Sequence, residues 1–232
     1  VAGRFDERKT LDKLSKAYGD LEPAELPVED TQPEAPQTEP RAVDMQKPTS
    51  TQKLAVAYHG PALGDVDHAP LALLVDVLFG GRASRAHQSM VQKAEIASDV
   101  RGWVGPFQEP GLIELQATAR TGRDAQEALD ALDREIERVR SEPVMGHELD
   151  RAKARAELGL VRSMETSSGR AEQIAFYDAV LGNPVGALER VERFRGITRS
   201  DLLRVARRYL AADRRTVIRV CPLDATSNGS ES

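Results

Sequence analysis

Arg170 and Tyr177 are the residues of this 232-residue chain whose types and spacing suit work on a peptide. A guanidinium presents a planar fork of donors, and a phenol presents a single hydroxyl. On a helix that turns 100° per residue, seven steps return to within about 20° of the starting direction and climb about 10 Å. Both side chains would therefore leave one face, spaced to hydrogen-bond two carbonyls of an extended peptide. The hydroxyl is also of the type that stabilises the oxyanion of a tetrahedral intermediate. A solvated arginine and a tyrosine snorkelling at a core edge give the same spacing, so the pair alone decides nothing.

Other chemistries find less in the sequence. Zinc needs two histidines on one helix face, at i and i+4. The four histidines, His59, His68, His87 and His147, are far apart. His147-Glu148 begins like H-E-x-x-H, but the fifth position is Arg151, and the inverted motif H-x-x-E-H is absent. No metal ligand is predicted in this chain. There is no G-x-S-x-G, and Cys221, the single cysteine, ends a predicted strand without a histidine partner, which reads as a small core residue. One cysteine also rules out an internal disulfide. Gly80-Gly81 lacks the lysine or third glycine of a phosphate-binding loop and reads as a helix stop.

Composition narrows the partners. Hydrophobic residues make up 40% and charged residues 30%, as in ordinary globular proteins, and the net charge of −5 gives no electrostatic case for nucleic acid or an anionic membrane. Arg204, Arg207 and Arg208 recur along one segment, but acidic residues alternate with the arginines of the later helices. No apolar run reaches the roughly 20 residues that span a bilayer.

The elements that must position Arg170 and Tyr177 follow from periodicity. Val1–Phe5 reads as a strand end, followed by an amphipathic helix with Leu11, Leu14 and Tyr18 on one face and Gly19 as its stop. One strand and one helix bury no core, so residues 1–19 are expected to be the tail of a preceding domain. The stretch 20–47 is acidic and proline-rich, with alternation appearing only around Ala42–Gln46, and is expected to be a linker. Residues 48–224 are expected to form the main lobe, and 225–232 a disordered tail. Alternation around Ala42–Gln46 and then over Lys53–Tyr58 suggests a pair of strands before the turn at Gly60-Pro61. His68–Phe79 is apolar almost all round, as a buried helix is, and Arg82–Lys93 continues as a second helical stretch. Ile96–Val104 and Leu112–Arg120 are expected to pair. Helices are then predicted over Asp124–Arg140, His147–Glu165, Gly169–Leu181 and Pro184–Phe194. Thr198 with Asp201 forms a capping-box pattern before the last helix, and Thr216–Val220 closes the order as a strand. This predicts an α+β lobe, with helices packed on one face of a largely antiparallel sheet.

Four stretches, taken in order, resemble the C-terminal half of a subunit of the pitrilysin/insulinase family of zinc metallopeptidases, the inverzincins. Val-Ala-Gly-Arg-Phe-Asp at the start is similar to the last strand of the family's first domain. Phe79-Gly80-Gly81-Arg82-Ala83-Ser84-Arg85 resembles its Gly-Gly-x-x-Ser-Arg turn. His147-Glu148-Leu149 to Ala154 resembles its Glu-Leu-x-x-Ala-Lys helix start, and Ile197-Thr198 to Leu210 its Val-Thr-x-x-Asp-Val helix. The resemblance implies that Arg170 and Tyr177 match the family's Arg-x6-Tyr pair, which grips substrate backbone across a chamber from the zinc half. It implies zinc in a partner or in another part of the parent chain, none here, and therefore a peptidase component that is inert alone. Expected partners are a zinc-bearing half or subunit, in a homo- or heterodimer, and an extended peptide. The alternative is a non-catalytic interaction or assembly protein that keeps the fold.

Overall fold

The computed structural model describes residues 1–25, 32 and 34–223. Its centre is a five-stranded sheet: β1 (Arg41–Lys47), β2 (Lys53–His59), β3 (Ala97–Val104), β4 (Leu112–Ala119) and β5 (Arg215–Pro222), in the order β1-β5-β2-β4-β3. Only β1 and β5 run parallel; every other pairing is antiparallel. Alternation on β2 sends Leu54, Val56 and Tyr58 into the core, while β4 sends Ile113, Leu115 and Ala117 the same way. Helix α2 (His68–Phe79) lies on this face and is buried along most of its length. Around it pack α4 (Gly146–Ser163), α6 (Gly186–Gly196) and α7 (Arg199–Tyr209), with α3 (Ala125–Ser141) bridging α7 and the sheet. Helix α5 (Ser167–Leu181) sits outside this layer, against α4 and α6. The α+β arrangement is the one the patterning predicts.

Several expectations need correction. Residues 1–5 form no strand, since nothing in the described chain pairs with them; α1 (Glu7–Tyr18) follows, capped by Asp6, and buries no residue. The end of the proline-rich stretch joins the lobe. Gln37 is buried and donates from Nε2 to the carbonyls of Glu39 and Arg215, 2.8 Å each, and β1 then lies along β5. The first two strands are thus not neighbours, because β5 is inserted between them. Arg82–Lys93 is not one α-helix: Gly81, at φ +82°, turns the chain first, and His87–Lys93 winds as a π-helix. The tail over 225–232 lies outside the described residues.

Two of the motif stretches meet here. Arg85, at the end of the glycine turn, donates from Nε and Nη2 to the two carboxylate oxygens of Glu148 at 2.7 and 2.6 Å, in a largely buried fork. Glu148 also accepts from the Met145 backbone N–H at 2.7 Å, closing the N-terminus of α4. Burial pushes the Glu148 carboxyl up, but Arg85 and that N–H outweigh it and hold the group below its usual range. Asp67, fully buried at the head of α2, is the corresponding knot to α7. It accepts from Arg204 at 2.6 Å, Arg208 at 2.7 Å and the Tyr209 hydroxyl at 3.1 Å.

Candidate functional site

Helix α5 carries both predicted site residues. Thr166 opens it, its side chain accepting the Gly169 N–H at 3.0 Å. Arg170, in the first turns, is exposed; its Nε donates to the Met164 carbonyl at 2.9 Å and its Nη2 reaches the Glu165 carbonyl at 3.5 Å. Its guanidinium thus helps close the C-terminal end of α4, with Nη1 left over. Tyr177, two turns on, is only 6% exposed and belongs to a small satellite cluster with Leu63 and Ala187. Its ring meets Phe176 edge to face, with centroids 5.3 Å apart.

Helix α6 fixes that ring. A Cβ on Gly186 would stand 2.6 Å from Tyr177 Cδ1, so the backbone at the start of α6 approaches the phenol more closely than any other residue type allows. The Tyr177 hydroxyl makes no hydrogen bond among the described residues. It is also absent from the sealed, partnerless polar atoms, which are Tyr58 Oη, Ser84 Oγ and Arg140 Nε, so it touches solvent. Burial pushes its pKa up, and the charges of Arg190 and Arg193 on α6 pull against that rise. Arg170 and Tyr177 thus share a helix, the one tied at its head and the other set into its packed side. Neither lines the cavities bordered by His59 and Tyr209, by Arg120 and Asp124, by Arg193 and Asp201, or by Asp76 and Trp103.

Sequence reasoning missed the pair behind Tyr177. Arg190 Nη2 donates to His68 Nδ1 at 3.0 Å, and its guanidinium carbon lies 5.1 Å from the Phe194 ring centroid. Because a guanidinium only donates, Nδ1 accepts and the ring proton sits on Nε2, which is 3.0 Å from the Gly105 carbonyl. Burial first, and the Arg190 charge second, lower the His68 pKa to about 4. The signal was there: a lone histidine opens a helix that is apolar almost all round. No group of three or more His, Cys, Asp and Glu side chains converges among the described residues.

The α+β lobe shares its fold with other solved structures. A protease from Helicobacter pylori matches it with a TM-score of 0.85 at 22% identity, over 95% of this chain and 54% of that one. A peptidase M16 inactive domain from Pseudomonas fluorescens matches with a TM-score of 0.77 at 18% identity, over 95% and 52%. The chain belongs to the peptidase M16 inactive domain family, whose sequence profile matches residues 1–156. An uncharacterized zinc protease of Rickettsia bellii is 26% identical over 161 residues, 68% of this chain and 38% of the relative. The chain thus spans well under two thirds of the curated relative and about half of the two solved structures.

Proposed function

We propose that this chain is the substrate-positioning, zinc-free half of a peptide-cleaving chamber, completed by a zinc-bearing half in a partner subunit or elsewhere in the parent chain. The observation that carries the reading is Arg170 and Tyr177 on a single helix, in a chain whose residues 1–156 match the peptidase M16 inactive domain family. In this reading Arg170 donates to one carbonyl of an extended peptide. Tyr177 donates its hydroxyl proton toward the scissile carbonyl oxygen as that oxygen gains negative charge. Such a donor stabilises the transition state more than the ground state, so its loss lowers kcat more than it raises KM. In this reading the zinc-bearing half supplies the metal chemistry.

The test is reconstitution with the zinc-bearing half. Tyr177→Phe should lower kcat by about 10²-fold, within the range known for single oxyanion donors. Arg170→Ala should act mainly on KM. Unchanged turnover in both variants overturns the reading. A second reading, a non-catalytic assembly lobe, is favoured by one observation: Arg170 already spends two donors on the end of α4. It predicts that Arg170→Ala lowers the unfolding midpoint and leaves turnover alone.

A further inference from the structure

Two arginines one turn apart on α6, Arg190 and Arg193, have no carboxylate partner among the described residues, whereas some of their neighbours do. Arg195 is shared by Glu157 and Glu192, and Arg204 and Arg208 by Asp67. Arg190 instead faces the neutral His68 ring and the face of Phe194, neither of which supplies negative charge. Its Nε and Nη1 are neither bonded nor among the sealed atoms. Arg193, exposed, borders a cavity of about 530 Å³ together with Gly64, Ile197, Asp201 and Arg204. Arg204 is taken by Asp67, and Asp201 accepts from the backbone N–H and hydroxyl of Thr198. Arg190 stands one turn after Ala187, which packs in the Tyr177 cluster, and the start of α6 at Gly186 closes on the Tyr177 ring, so this stretch of α6 runs beside the proposed peptide track. A half-buried cation without a counter-ion is costly, and a planar donor fork matches a carboxylate.

We infer that Arg190 and Arg193 form a carboxylate-binding subsite beside Tyr177, which takes either an acidic side chain or the terminal carboxylate of an extended peptide. The inference rests on the peptide-positioning reading and adds a substrate class to it: peptides carrying negative charge at one fixed distance from the bond held by Tyr177. His68 is then a positioning residue. It accepts from Nη2 and donates from Nε2 to the Gly105 carbonyl, which holds the guanidinium without neutralising it.

The experiment uses the full-length parent protein assembled with its zinc-bearing half, with peptide binding read by fluorescence anisotropy. The probes are fluorescein-labelled ten-residue alanine-rich peptides. One set is amidated and neutral, one is amidated with a single Glu walked through the internal positions, and one has a free C-terminal carboxylate. One acidic set should bind about tenfold or more tightly than the neutral set, as expected for a charge-assisted bond, and which set does so identifies the source of the carboxylate. Arg190→Gln should abolish the preference. Arg193→Gln, at an exposed position that cannot unfold the lobe, should reduce it. Equal binding of all three sets overturns the subsite and leaves peptide positioning standing. Binding by none of them overturns both.

Discussion

Tyr177 is held by shape before it is held by any bond. Phe176 meets its ring edge on, Leu63 and Ala187 close the satellite cluster, and the α-carbon of Gly186 presses against it. Gly186→Ala places a methyl 2.6 Å from the ring, so the ring must move. That overpacking is expected to cost about 1–3 kcal/mol in urea denaturation. In the reconstituted peptidase the same change should lower kcat as Tyr177→Phe does, because the hydroxyl is displaced instead of deleted. A Gly186→Ala lobe with normal kcat would mean that the position of Tyr177 has no bearing on turnover.

Between elements, polar knots do what a continuous apolar contact does elsewhere. Arg85 and Glu148 join the glycine turn to α4 across 63 residues of sequence. Removing one partner leaves a largely buried charge uncompensated, so Glu148→Gln is expected to cost about 2–3 kcal/mol by chemical denaturation, with the π-helical segment after Arg85 the first to lose hydrogen-exchange protection. Thr198 is the simpler case: it accepts the Asp201 N–H at 3.3 Å while Asp201 accepts the Thr198 N–H at 2.9 Å. Thr198→Ala should therefore lower stability by about 1 kcal/mol, read from the unfolding midpoint. This scale also shows what the sequence makes legible. Helices α2, α3 and α5 follow from local periodicity, and α7 from its capping box. The glycine turn and the α4 start are visible as two separate motifs, and nothing local shows that Arg85 and Glu148 are the reason for both. The same blindness hides the pairing of β1: alternation around Ala42–Gln46 reads as a strand, but the strand is exposed throughout and its partner β5 lies at the other end of the lobe, so nothing local shows where it joins the sheet. At the candidate site, the Arg170 and Tyr177 spacing is readable from helix geometry, whereas Arg190 and His68 come together only through the packing of α6 on α2.

At the scale of the whole molecule, His68 is the point where the satellite cluster joins the main core. It ties the head of α2 to Gly105 after β3 and, through Arg190, to α6, whose Phe194 is in the core and whose Ala187 packs in the satellite cluster. That junction works only with a neutral ring, since a protonated Nδ1 cannot accept from Arg190. The folded pKa of about 4 lies below the ordinary 6.5, so between these values the unfolded chain binds a proton that the folded one refuses. Stability from this group is therefore fully present above pH 6.5, falls as pH drops below it, and is exhausted near pH 4. The difference is worth about 3 kcal/mol, a large part of the 5–15 kcal/mol that holds a typical domain. Glu148 loses its contribution in a separate, lower window, because its folded pKa is depressed and its loss starts only below the ordinary carboxylate value of 4.5. Urea unfolding at pH 7.5, 6.5, 5.5 and 4.5 separates the two. Wild type should change little between pH 7.5 and 6.5 and weaken progressively below 6.5. His68→Asn, which keeps an acceptor for Arg190 but no titrating group, should start lower and stay flat. An equal slope in the variant would assign the acid loss to other groups and leave His68 without a role in it.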